Sequence, residues 1–118
     1  MALHKQTGDL GEMMAASYLQ QQGFAIIHRN WRYTRFEVDI IAARSGILHF
    51  IEVKTRRNSK FGLPEESVSR KKIRNLLDAA DAFIHKHREW KRVQFDVLSV
   101  MIQPNKPVEY FFIEDVYL

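Results

Sequence analysis

There is no cysteine among the 118 residues. Disulfide staples, thiolate metal ligands and thiol nucleophiles are thereby excluded, so any chemistry must come from oxygen and nitrogen groups. Proline and glycine are scarce, at 3 and 5 residues, which leaves no material for a flexible linker or a low-complexity tract. No apolar run approaches the roughly 18 residues that cross a bilayer. The opening Met1-Ala2-Leu3-His4-Lys5-Gln6-Thr7 lacks the apolar stretch of a signal peptide. A cytoplasmic protein with no membrane partner is the expectation.

What is present is an ordinary globular balance, 46% apolar and 27% charged, enough for one modest core. No repeat divides the chain, so residues 1–118 are read as a single domain. The net charge is +4 and the pI about 9.5. The basic residues gather at Arg56-Arg57, at Arg70-Lys71-Lys72 with Arg74, and over residues 86–92. Such clusters favour a polyanionic partner, although the last of them is more simply read as a solvated helix end.

Periodicity orders the elements. A helix is expected over residues 9–22, closed by Gly23, with Asp9 and Glu12 spaced as a capping box. A strand follows through Phe24-Ala25-Ile26-Ile27. Residues 58–66, with Gly62 and Pro64, read as a loop. A second helix begins at Ser67 or Ser69 and carries Ile73, Leu76, Leu77, Ala80, Phe83 and Ile84 at spacings of three and four. Strands are expected over residues 93–102 and 108–113, joined across Pro104-Asn105-Lys106-Pro107. The predicted order is αβββαββ, an α/β fold with a mixed central sheet flanked by helices.

The chemistry concentrates in the middle. Glu37-Val38-Asp39-Ile40-Ile41-Ala42 and Ile47-Leu48-His49-Phe50-Ile51-Glu52-Val53-Lys54 flank Arg44-Ser45-Gly46, the pattern of an antiparallel hairpin. With Ser45 and Gly46 as the loop, residue 44 pairs with 47, Asp39 faces Glu52, and Glu37 faces Lys54. Two carboxylates about 5 Å apart repel by roughly 3 kcal/mol at an effective dielectric of about 20. A hard divalent cation relieves that, and so does a lysine in a plain salt-bridged sheet face. Both readings stay open on the hairpin alone. Arg56 and Arg57 follow Lys54 directly, so a polyanion gripped there lies beside the carboxylates.

The order of elements, a helical Glu, an acidic residue in the second strand and Glu-x-Lys in the third together resemble the PD-(D/E)xK nuclease superfamily. More closely, the chain resembles the YraN family of small bacterial endonuclease-like proteins, themselves distantly similar to archaeal Holliday-junction resolvases. The resemblance rests on Gly8-Asp9-Leu10-Gly11-Glu12, Asn30, Glu37-Val38-Asp39-Ile40-Ile41-Ala42, Phe50-Ile51-Glu52-Val53-Lys54-Thr55-Arg56, Phe61-Gly62, Val68 with Lys72, and Phe95-Asp96-Val97. It implies a restriction-endonuclease-like core in which Asp39, Glu52 and the carbonyl of Val53 bind Mg²⁺ or Mn²⁺. Glu12 completes the acidic cluster and Lys54 handles the attacking water. Phe36 stands where the family usually has Gly, Val38 replaces the superfamily's proline, and Gln94 stands where Arg is common.

Other residues carry two readings. Glu12 fits a capping box as well as a site, Lys72 a solvated lysine or a phosphate contact, and Asp96 an acid supporting the site or an edge-strand residue. The five His residues are read as surface groups, with no zinc-like spacing. Trp31, Trp90, Tyr33 and Phe61 could stack on unpaired bases, with burial the default. The resulting expectation is a metal-dependent endonuclease hydrolysing DNA phosphodiester bonds, with Arg56, Arg57, Lys72 and Arg74 on the nucleic acid and branched DNA as a candidate substrate. A junction cut would need two copies, hence a homodimer. The alternative is a catalytically silent nucleic-acid-binding module on the same fold.

Overall fold

The computed structural model describes residues 2–57 and 70–116. Its elements are α1 (Ala2–Gln21), β1 (Ala25–Tyr33), β2 (Phe36–Arg44), β3 (Ile47–Arg56), α2 (Arg70–Lys86), β4 (Val93–Met101) and β5 (Glu109–Ile113). This is the αβββαββ order expected. The strands form one sheet in the order β1-β2-β3-β4-β5, antiparallel throughout except for the β3/β4 pair. A parallel pair needs a crossover, and α2 lies within the one between β3 and β4. The expected loop at residues 58–66, the helix start at Ser67 or Ser69, and Phe61, Gly62 and Val68 lie outside the described residues.

The sheet has a helix on each face, so its central strands are apolar on both sides. On one face Ala15, Ala16 and Leu19 of α1 pack on Ile40, Ala42, Ile51, Val53, Leu98 and Val100. On the other, Leu76, Ala79, Ala80 and Phe83 of α2 pack on Val38, Ile41, Leu48 and Phe50. The helical spacing of α2 therefore does what its sequence indicates. The β2/β3 hairpin has the expected register, with Arg44 opposite Ile47 and Ala42 opposite His49. Ser45 and Gly46 both take positive φ, 55° and 78°, as a two-residue primed turn requires.

Four expectations are corrected. Helix α1 starts at Ala2, so Asp9 and Glu12 lie inside it and no capping box forms there. Strand β1 continues to Tyr33 rather than ending at Ile27, because residues 28–33 pair with β2 beyond a bulge between Ile26 and His28. His49 is buried, not a surface group: it faces α1, meets Phe24 edge-on at 4.8 Å, and its Nδ1 lies 2.6 Å from the Asp96 carboxylate. Asp96 is likewise interior, since β4 is flanked by β3 and β5.

Both Asp96 oxygens are occupied. Oδ2 meets His49, while Oδ1 accepts from the Gln94 side chain and from the Asp115 backbone N–H, each at 2.9 Å. Glu114 approaches the same pair, and the three ligand-type groups lie within 4.8 Å of one another. With its lone pairs so used, the Asp96 carboxylate ties the chain after β5 to the centre of the sheet. Replacing it by alanine leaves the buried His49 and the part-buried bonds of Gln94 and the Asp115 N–H unmatched, and Asp96→Ala is expected to cost about 3 kcal/mol, read as a lower midpoint in urea unfolding.

Candidate functional site

Strand β3 changes character along its length. Its first half is core; its second half delivers Glu52 and Lys54 to the face that α2 covers. The ladder with β2 runs only as far as Ile40 opposite Ile51, one residue short of Asp39. Alternation on β2 also breaks there, because Val38 packs on the α2 side while Ile40, two residues on, packs on the α1 side. Asp39 occupies the gap. Its Oδ2 accepts the Val53 N–H at 2.8 Å, a side chain standing in for the missing ladder partner.

Asp39 and Glu52 are thus brought together, though not as a directly opposed pair. They line one pocket of about 190 Å³ with Arg35, Phe36, Glu37, Lys72 and Asn75. Glu37 does not face Lys54 as expected. It ion-pairs across to Arg32 on β1 at 3.3 Å, since the opening of the β2/β3 ladder leaves β1 as its neighbour. Lys72 reaches down from α2 and donates to Glu52 Oε1 at 2.7 Å, while Lys54 Nζ lies 3.9 Å from the same oxygen. Val53 lies between Glu52 and Lys54 on β3, its N–H engaged by Asp39.

Glu12 approaches from α1. Its position depends on Gly11, where a Cβ would collide with the Thr55 side chain, 2.8 Å from Cγ2 and in hard overlap with Oγ1. Only glycine lets the helix come this close to β3. Burial raises the Glu12 pKa, a hydrogen bond from the Asn30 side chain opposes the rise, and Glu37 reinforces it. Asn30 itself takes φ 55°, a conformation that asparagine tolerates better than most residues. Asn30 stands among the residues that carry the family resemblance, but its pairing with Glu12 had no local signal, because the contact joins two elements. Asn75 was missed; its spacing of three from Lys72 places it on the same helix face.

The predicted phosphate-binding cations are not all gathered. Lys72 lines the pocket. Arg74 is two residues further along, about 200° around the helix, and is exposed on another side. Arg56 is the last residue of β3, and Arg57 lines a separate hollow with Leu10, Ile102, Gln103 and Pro104. They continue the strand beyond Lys54 without joining the pocket.

Electrostatics single out Asp39. Burial, then the charge of Glu52, push its carboxyl from 3.8 up to about 7, the Val53 N–H pulling the other way and Glu12 adding to the rise. Lys54 is lowered, first by burial and then by the Lys72 charge, against the pull of Glu52. For Lys72 burial is again the largest influence and acts downward, yet the hydrogen bond and charge of Glu52 outweigh it and hold the ammonium above its ordinary value. Of the two lysines, Lys72 is the one whose charged form the site favours.

These shifts predict a pH dependence opposite to the common one for acids. A carboxyl whose folded pKa is raised binds its proton more tightly when folded, so stability is greatest below the unfolded value near 4 and declines as pH rises towards 7. In chelator, Asp39→Asn should match wild type at pH 4 and exceed it at pH 8 by on the order of 3 kcal/mol, checked by urea unfolding at the two pH values. Equal stabilities at pH 8 would show that Asp39 carries no such penalty. Separately, Gly11→Ala should destabilise by about 1–3 kcal/mol through overpacking, and Thr55→Ala in the same chain should recover part of the loss.

A profile of the uncharacterised protein family UPF0102 matches residues 11–100. Among curated relatives, a UPF0102 protein of Bacteroides thetaiotaomicron is 44% identical over 101 residues, covering 86% of this chain and 84% of the relative. One from Dictyoglomus turgidum is 39% identical over 106 residues, covering 89% and 90%. One from Flavobacterium johnsoniae is 39% identical over 118 residues, covering 97% and 93%. The matched span runs from the glycine beside Glu12 through the pocket residues to β4, and the chain belongs to the UPF0102 family, the YraN family that its motifs resemble.

Proposed function

We propose that this protein is a metal-dependent hydrolase of DNA phosphodiester bonds, using Mg²⁺ or Mn²⁺ and acting on branched or otherwise irregular DNA. The observation that carries the reading is the convergence of Asp39, Glu52, Lys54 and Lys72 at the open end of the β2/β3 ladder, with the Asp39 carboxyl pushed up to about 7 by burial and by Glu52. Two carboxylates in that condition are an oxygen donor set lacking a positive charge of sufficient strength, which is the chemistry a hard divalent ion answers. Asp39 and Glu52 would hold the ion, with the Val53 carbonyl beside them and Glu12 joining from α1. When bound, it supplies Lewis acidity and offsets negative charge on the phosphoryl oxygens during in-line displacement.

The chain's own residues supply the rest. Lys54, whose ammonium burial and the neighbouring Lys72 charge push below its ordinary value, is the group placed to orient the attacking water or to offset negative charge that develops on the phosphate. Lys72, held above its ordinary value by Glu52, lines the pocket and would donate to a phosphate oxygen if Glu52 served as a metal ligand. Val53, through its N–H, fixes the Asp39 carboxylate and leaves the second oxygen to a ligand. No described helix is long and apolar enough to cross a membrane.

Calorimetric titration with Mg²⁺ and Mn²⁺, with and without a four-way DNA junction, tests the proposal. Wild type should bind, and Asp39→Asn and Glu52→Gln should each lose binding. Lys54→Met should keep the metal and lose about 100-fold or more in cleavage rate, the scale on which a single transition-state contact acts. Wild type that binds no metal even beside the junction would sink the hydrolase reading and leave a nucleic-acid-binding module, whose pocket is neutralised internally by the Lys72–Glu52 pair.

A further inference from the structure

We propose that Tyr33 is a stacking platform for an unpaired nucleobase, placed so that the phosphate of the same strand lies at the acidic pocket. The inference deepens the reading above, on which the phosphate's position rests. Tyr33 ends the edge strand β1 with 42% of its surface exposed, high for a large ring. Its partner in the β1/β2 ladder is Phe36, and Phe36 lines the pocket that holds Asp39, Glu52 and Lys72. Opposed residues share a sheet face, with Cβ atoms about 5 Å apart. The exposed ring is thus about one strand spacing, roughly 4.8 Å, from the pocket wall, within the reach of adjacent nucleotides of an unpaired strand.

The ring is also held in place. It lies parallel to Trp31 within 7°, centroids 6.5 Å apart, and Trp31 is anchored edge-on against Phe83 in the core at 5.3 Å. A rigid aromatic face loses little conformational freedom when a base settles on it. The strand that carries it reads Ala-Ile-Ile-His-Arg-Asn-Trp-Arg-Tyr, with two arginines and no acid, and Arg35 follows in the turn above the Phe36 ring at 5.2 Å. Arg29 and Arg32 on the strand and Arg35 in the turn make the border of this face basic on balance, Arg32 being paired with Glu37, and an exposed ring in a basic border suits a strand that is anionic along its backbone and aromatic at its bases more than it suits a peptide. Because every base offers a π-face, the site selects for an unpaired base and not for a sequence. The substrate class it indicates is single-stranded, looped or flapped DNA next to the scissile phosphate.

Equilibrium fluorescence anisotropy with the full chain, in calcium and about 50 mM salt where phosphate contacts are strong, compares an oligothymidylate of about twelve nucleotides with a duplex of equal length. Tyr33→Ala should weaken binding of the single strand about tenfold or more and of the duplex less than twofold. Tyr33→Phe should match wild type, and an oligomer of abasic sites should bind wild type and Tyr33→Ala alike. Unchanged single-strand binding by Tyr33→Ala, equal losses on both DNAs, or no single-strand binding by wild type would each overturn the proposal. So would a Tyr33-dependent dimer that does not respond to DNA. The metal titration reads the hydrolase proposal separately: Tyr33-dependent binding by a chain that takes up no Mg²⁺ would refute hydrolysis and leave the stacking site standing.

Discussion

The hydrogen bond from the Val53 N–H to the Asp39 carboxylate holds the structure at its most expensive point. Beyond Ile40 and Ile51 the β2/β3 ladder has no further backbone pair, and a sheet that simply opened there would expose unsatisfied amides. A carboxylate closes the gap instead. A hydrogen bond to a charged acceptor contributes about 1.5–3 kcal/mol. Burial, and after it the charge of Glu52, outweigh that contribution, and the Asp39 carboxyl is driven up to about 7 despite its amide partner.

Everything around that point follows from the need to compensate. Strand β3 spends its first half on both hydrophobic cores, with Leu48 and Phe50 towards α2 and Ile51 towards α1, and only then carries Glu52 and Lys54. The rigid half positions the polar half. From one face α1 comes close enough to bring Glu12 into electrostatic reach of Asp39, which the Gly11–Thr55 contact makes possible. From the other, α2 extends Lys72 onto Glu52. Two helices packed on opposite faces thus address one gap in the sheet.

How much of this was legible in the sequence depended on whether the signal was local. The hairpin register was, because Ser45-Gly46 admits a two-residue turn and a period of two fixes which residues oppose. Helix α2 was, because its apolar spacing is repeated over four turns. The continuation of β1 was not: His28, Arg29 and Asn30 are all exposed, so an edge strand with a bulge shows no alternation. Nor was the burial of His49, whose partner Asp96 stands 47 residues away on a neighbouring strand. Within the site, the pairing of Asp39 with Glu52 could be read from the hairpin, but the loss of the ladder between them could not. A residue pattern gives register, whereas the point where a ladder opens depends on what the side chains beyond it bond to.

The cations at the start of α2 obey the same logic as the carboxylates. Arg70, Lys71 and Lys72 occupy a first turn with no acidic residue, where the helix dipole penalises each by about 0.3–1 kcal/mol. Lys72 recovers its share through Glu52, but that contact consumes the same oxygen a cation would use. The carboxylates and Lys72, an ammonium held against a helix dipole, therefore meet in one pocket, each the other's imperfect partner. A metal ion alone would satisfy the first set and release the second; a phosphate alone would do the reverse and leave the carboxylates repelling it. An ion and an anion together would relieve both, which is why the proposed reading pairs a divalent metal with a phosphodiester.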